Sequence, residues 1–241
     1  MPPIDPSAAI PPDTPLSKLP NFDPREVPVL AVDAHLPAVA RDRLTPEALR
    51  TRFTWPPVWE PELRDEPRFT DRRIAPASVL VPVVMREQPM VLLTQRTPNL
   101  STHSGQVAFP DGKRDDTDVD AADTALREAH EEIGLERSLA EVLGVLPTYT
   151  TGTMFVVTPV IALVRPDYHL ALNAHEVADA FEVPLAFLMD PAHHRRHAIE
   201  FSGTRREWFS MPWQDATAGR ERFIWGATAG MLRNLYRFLA A

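Results

Sequence analysis

Cysteine is absent from the 241 residues, which removes disulfides, thiolate nucleophiles and cysteine-type zinc sites together. No apolar run approaches the length of a membrane span, so no membrane partner is expected. The first residues lack a basic segment followed by an apolar core, and no Arg or Lys precedes Lys18. Neither a secretory signal nor a mitochondrial presequence is therefore expected, and the chain reads as cytoplasmic. Positive charge is in deficit: 25 Lys and Arg stand against 33 Asp and Glu, a formal net charge of −8. Without a basic stripe, a nucleic-acid partner is excluded. A glycine-rich loop ending in Lys-Ser or Lys-Thr is also missing, which argues against a P-loop nucleotidase.

Proline is plentiful and unevenly placed. Pro2, Pro3, Pro6, Pro11, Pro12, Pro15, Pro20, Pro24, Pro28 and Pro37 crowd the first 40 residues. Proline fixes φ and removes a donor, so this piece should be extended or irregular. It offers no catalytic group. Its Ile10, Leu16, Phe22, Val29 and Leu30 could lie against the domain or against a partner subunit, which leaves a homodimer open. The chain accordingly divides into a proline-rich extension, residues 1–40, and one domain, residues 41–241, long enough for a full core.

Along that domain, Thr45–Phe53 reads as a short helix capped by Thr45 with Pro46 in its first turn. Residues 54–75 read as loop. Ser78–Met85 and Met90–Thr94 read as two strands around a turn at residues 86–89, and Pro82 suggests an edge position or a bulge. Val142–Leu146, Met154–Val164, Glu182–Phe187 and Trp208–Met211 are further strand-like runs. Gly226–Leu239 carries apolar residues at helical spacing and reads as a packed amphipathic helix. The expected class is α+β, a mixed sheet between helices, in an α/β/α arrangement.

The stretch that resists a purely structural reading is Leu126-Arg127-Glu128-Ala129-His130-Glu131-Glu132-Ile133-Gly134. Asp120 and Asp123 are candidate N-terminal caps, and Gly134 suits the C-terminus. Ala122, Leu126, Ala129 and Ile133 form the expected buried stripe. Glu128, Glu131 and Glu132 fall at i, i+3 and i+4, so three carboxylates share one face and repel. A hard divalent cation reverses that sign, because Mg²⁺ takes oxygen ligands from carboxylates, waters and substrate phosphates. It would also answer how an acidic chain handles an anionic substrate. Arg127 could hold one carboxylate in a fixed rotamer, and Gly112 could offer its carbonyl.

Gly112, Asp118 and the run Arg127-Glu128-Ala129-x-Glu131-Glu132-x-Gly134-Leu135 resemble the Nudix box of the Nudix hydrolases. The family pattern has a Gly, five residues, a Glu, seven residues and the Arg-Glu segment. Here the acid is Asp and eight residues precede Arg127, a difference that recurs in one subgroup. The block Leu92-Leu93-Thr94-Gln95-Arg96-Thr97, with His103-Ser104-Gly105-Gln106-Val107-Ala108-Phe109-Pro110-Asp111-Gly112, resembles the coenzyme A pyrophosphatase subgroup, which carries Leu-Leu-Thr-x-Arg and ends in Phe-Pro-Gly-Gly. The likeness runs over about residues 43–239. Two positions depart from it: Ser101, where the subgroup has Arg or Lys, and Asp111, where it has Gly.

The resemblance implies a Nudix fold and hydrolysis of a diphosphate linkage in a small nucleotide, with coenzyme A or its acyl form as the expected substrate. It implies Mg²⁺ or Mn²⁺ as cofactor, with Glu128 and Glu132 as main ligands, Glu131 as third ligand or base, and Gly112 beside them. Arg127 would orient the carboxylates, Glu176 is the best-placed downstream base, and Arg96, His103 and Gly105 are candidate substrate contacts. Hydrolysis of ADP-ribose or a dinucleotide, and a non-catalytic nucleotide-sensing domain, are the alternatives. Asp116-x-Asp118-x-Asp120 begins like a calcium loop but fails at Ala121 and Arg127. His193, His194 and His197, flanked by Arg195 and Arg196, read as a polar loop.

Overall fold

The computed structural model describes Thr14 and residues 22–66, 73–98, 105–201 and 204–241. Its centre is the strand β2 (Ala75–Val84), buried from Ala77 to Val84. This strand runs parallel to β8 (Phe155–Val164) along its whole length. It also pairs antiparallel with β3 (Met90–Arg96) and β5 (Asp111–Lys113). Around them the large sheet runs β4 (Val107–Ala108), β3, β2, β8 and β6 (Ala140–Val145). The strands β7 (Tyr149–Thr150) and β9 (Val177–Pro184) attach to β8 and β3.

Both faces of this sheet are covered, which is why its strands read as continuous apolar runs rather than alternating ones. Helix α2 (Ala121–Ile133) covers one face, where Leu80, Val84, Leu92, Val160 and Val164 pack with Ala125, Ala129 and Ile133. The expected stripe is thus shifted: Ala125 is buried, whereas Ala122 and Leu126 pack only partly against this core. Val79, Val81, Val83 and Ile161 face the larger core on the other side. That core takes in α4 (Gly226–Ala240), α1 (Pro46–Thr54) and a second, four-stranded antiparallel sheet. The second sheet runs β1 (Ala31–Val32), β10 (Arg195–Phe201), β11 (Thr204–Asp215) and β12 (Arg220–Trp225). The expected α+β class with a mixed sheet between helices is therefore found, with this added sheet.

Several expectations are corrected. Pro82 lies in a central strand, not at an edge. By alternation from Leu80, whose N–H donates to Pro110 O, the nitrogen of Pro82 points away from β8. There it falls between the stretch paired with β5 and the stretch paired with β3, so the ladder loses no bond. The strand expected at Glu182–Phe187 is β9, shifted toward the N-terminus, and Leu185–Leu188 form a helical turn, α3. His194 and His197 are buried rather than on a polar loop. His194 Nε2–H donates to Leu188 O, and His197, within β10, bonds Ser210 Oγ and Val27 O.

The described part of the extension docks on its own chain. Phe22 packs edge-on against Trp208, and Ala31–Val32 join the second sheet. Asp33 enters a buried ion-pair network with Arg196 and Arg233, which Glu62 completes. Arg233, on α4, is 1% exposed and also donates to His194 Nδ1.

Candidate active site

Helix α2 starts where Asp120 accepts the N–H of Asp123 (2.8 Å) and Asp123 in turn accepts that of Val119 (3.1 Å). It ends at Gly134, whose φ of 70° is a left-handed closure. With Ala125, Ala129 and Ile133 pinned to the sheet, Glu128 and Glu132, one turn apart, face β5. Glu131 does not join them. Its side chain is 56% exposed and lies 3.3 Å from Arg127 Nη1.

Arg127 is held from several sides. Its Nε and Nη2 donate to the two carboxylate oxygens of Asp118 (2.9 and 2.8 Å), Nη2 donates to Lys113 O, and Nη1 donates to Glu128 Oε1 (2.8 Å). The two-pronged bond from Arg127 holds the Asp118 carboxyl far below the usual carboxylate range. A chain of bonds thus runs from the loop before α2 to the Glu128 carboxylate. Asp118, which sequence patterning tied to a failed calcium loop and to the acid of the motif, is the anchor of that chain.

Gly112 explains how Glu128 fits. A Cβ at position 112 would meet Glu128 Cδ at 1.9 Å and its two oxygens at 2.0 and 2.3 Å. Only a residue with no side chain lets the carboxylate lie against the backbone of β5. Burial raises the pKa of Glu128. Glu132, with its side chain 3% exposed, is pushed up to about 8, chiefly by burial and then by the charge of Asp111, with Arg96 opposing.

Arg96 reaches this group from the end of β3. Its Nη1 is 3.3 Å from Asp111 Oδ1 and 3.8 Å from Glu132 Oε1. Glu176, one residue before β9, is brought close enough for its charge to act on Glu132. Thr97 ties the two elements, its N–H donating to Glu176 O (3.0 Å) and its hydroxyl to His175 O (3.2 Å). Gly105 lies elsewhere, lining a cavity of about 320 Å³ with Phe22, Gln95, Phe223 and Trp225 that none of these carboxylates lines. His103 and Ser101 lie outside the described residues.

The donor set fits a hard divalent cation. It is all oxygen, it includes the buried Glu132 carboxylate, whose ion-pair partner Arg96 Nη1 stands off at 3.8 Å, and Gly112 leaves room for the Glu128 carboxylate. Among the described residues no three His, Asp or Glu side chains close on one point as an all-protein cage would. Mg²⁺ does not need one, since it keeps waters and takes substrate phosphates beside one or two carboxylates. No helix among the described residues is long and apolar enough to cross a membrane.

Residues 75–210 match the NUDIX domain. The chain is 43% identical over 162 residues to the uncharacterized Nudix hydrolase NudL of Escherichia coli (strain K12), covering 66% of this chain and 80% of that protein. It is 42% identical over 174 residues to the NudL of Klebsiella pneumoniae, covering 72% and 87%. Among solved structures it is similar to an Ap4A hydrolase of C. elegans in a binary complex (TM-score 0.40, 20% identity, covering 45% of this chain and 80% of that one). It is also similar to the NUDIX domain of Shewanella oneidensis NrtR complexed with ADP ribose (TM-score 0.38, 21% identity, covering 48% and 75%). The domain match and the kinship with the NudL proteins make this chain a member of the Nudix hydrolase family, pyrophosphohydrolases that act on nucleoside diphosphates linked to a further group and generally use a divalent metal ion.

Proposed function

We propose that this chain hydrolyses the diphosphate of coenzyme A or acyl-coenzyme A, giving 4'-phosphopantetheine (or its acyl form) and 3',5'-ADP. The observation that carries the chemistry is the buried Glu132 carboxylate beside Glu128 in the space left by Gly112. Glu128 and Glu132 would hold Mg²⁺ or Mn²⁺, with the Gly112 carbonyl beside them, while Glu131 stays at the exposed edge on Arg127. Such a cation, when bound, neutralises diphosphate oxygens and makes an attacking water more acidic.

The chain's own groups do the rest. Arg127 fixes the Glu128 rotamer and does not touch substrate. Arg96 donates to a phosphate oxygen at the mouth of the site. Glu176 takes the proton of the water as it attacks one phosphorus in line, and the P–O–P bridge breaks with the departing phosphate leaving as an anion. The substrate assignment is supported by the run Leu92–Gly112, the more specific half of the resemblance.

The test is turnover by the purified protein with Mg²⁺ or Mn²⁺ of coenzyme A, ADP-ribose, NADH and diadenosine tetraphosphate, with products identified by mass spectrometry. Coenzyme A should have the highest kcat/KM and release 3',5'-ADP. Faster cleavage of ADP-ribose or a dinucleotide would overturn the substrate assignment. Nucleotide binding without turnover of any of the four would overturn the enzymatic reading in favour of a sensor.

A further inference from the structure

Position 111 is glycine in the subgroup this chain resembles, and here it is an acid. Asp111 opens β5, paired with Val79 of β2, and its N–H donates to Glu132 Oε2 (3.3 Å). Asp111 Oδ1 is 3.3 Å from Arg96 Nη1, and the same nitrogen is 3.8 Å from Glu132 Oε1. One guanidinium nitrogen therefore stands between two carboxylates and lies nearer the more exposed of them, their side chains being 40% and 3% exposed.

Arg96 is not seated as Arg127 is. The Nε of Arg96 is buried with no hydrogen-bond partner among the described residues, whereas Arg127 spends Nε, Nη1 and Nη2 on named acceptors. An arginine with an unspent donor beside a buried carboxylate will settle on that carboxylate unless another anion draws it away. A divalent cation approaching Glu132 must compete with whatever hold Arg96 keeps on it.

We infer that Asp111 is a positioning residue for the cation site: its carboxylate draws the Arg96 guanidinium off Glu132 and leaves Glu132 Oε1 open to a divalent cation. This rests on the proposed reading that Glu132 holds such a cation. Removing the Asp111 charge acts twice in one direction. It lets Arg96 close on Glu132, and it makes the local potential less negative. Both weaken cation binding.

The experiment is a titration of the full chain with Mn²⁺ and no substrate, free Mn²⁺ being read by electron paramagnetic resonance. It compares wild type, Asp111→Asn, Asp111→Ser, Arg96→Gln and the double variant Arg96→Gln/Asp111→Asn. Loss of the Asp111 charge should raise Kd on the order of tenfold in either single variant. Arg96→Gln alone, which needs no change at 111, should tighten binding. In the Arg96→Gln background the Asp111→Asn penalty should shrink by about threefold or more, the mark of coupling through Arg96. An equal penalty in both backgrounds would overturn the inference, since Asp111 would then act as a plain charge or a ligand. Unchanged Kd in the Asp111 variants, or weaker binding in Arg96→Gln, would overturn it as well. Failure of wild type to bind Mn²⁺ at all would instead bring down the metal-site reading beneath it.

Discussion

The carboxylate of Glu128 lies where the side chain of residue 112 would be, so that Gly112 and Glu128 fill one space between them. The φ of Gly112 is not in the left-handed region, so its backbone suits an alanine and only the clash matters. The group it would strike is the far end of a flexible side chain. Gly112→Ala should therefore fold, with a Tm within a few degrees of wild type, while Glu128 is pushed off its position. Loss of a placed ligand or charge-stabilising group commonly costs on the order of 100-fold in rate. A Gly112→Ala enzyme with wild-type kcat/KM would show that Glu128 has no need of that place.

Arg127 is expected to act through Glu128 and not on substrate. Lysine keeps the charge but cannot donate to both oxygens of Asp118, to Lys113 O and to Glu128 Oε1 together. Arg127→Lys should lower kcat by roughly 10-fold or more with KM nearly unchanged, the pattern of a group needed for transition-state stabilisation and not for ground-state binding. Steady-state kinetics decide it: a rise in KM at constant kcat would place Arg127 on the substrate.

Much of this was legible in sequence, and the residues show why. The positions of Glu128, Glu132 and Gly134 follow from helical spacing and a C-terminal glycine, because those are local rules. Thr45 and Asp120 cap their helices as short polar residues at such places do. Spacing groups Glu131 with its neighbours because it fixes a face but not a partner, and Arg127 holds it at the exposed edge. The second sheet was largely missed because Arg195-Arg196-His197 look solvated. Arg195 is indeed exposed, but Arg196 is held by Asp33 and Glu62 and His197 is buried against Ser210 and Val27 O, all of them distant in the chain. Asp111 stands out in the sequence as a departure, but its partner Arg96 comes from another strand, which local spacing does not reveal.

His194 supplies a pH test of the buried network. Burial, with the Arg233 charge adding to it, lowers its pKa from 6.5 to about 4. Between those values the unfolded chain binds the proton and the folded chain does not, so stability falls as pH drops from about 6.5 to about 4. The shift corresponds to about 3 kcal/mol across that window. Glu132, raised to about 8, titrates with the opposite sign over part of the same range. Urea unfolding of wild type and His194→Gln, each from pH 7 to pH 4, isolates the contribution. The difference in stability between them should narrow as pH falls. A difference that stays constant would mean His194 is not held neutral in the fold.

The central claim is that Glu132 serves the cleavage of a diphosphate. It is tested most directly by kcat on coenzyme A for wild type and Glu132→Gln at saturating Mn²⁺, with both proteins shown to have the same fold by circular dichroism. Glutamine keeps the shape and removes the charge, so kcat should fall by about 100-fold or more while the fold persists. A Glu132→Gln protein that releases 3',5'-ADP at the wild-type rate would contradict the account.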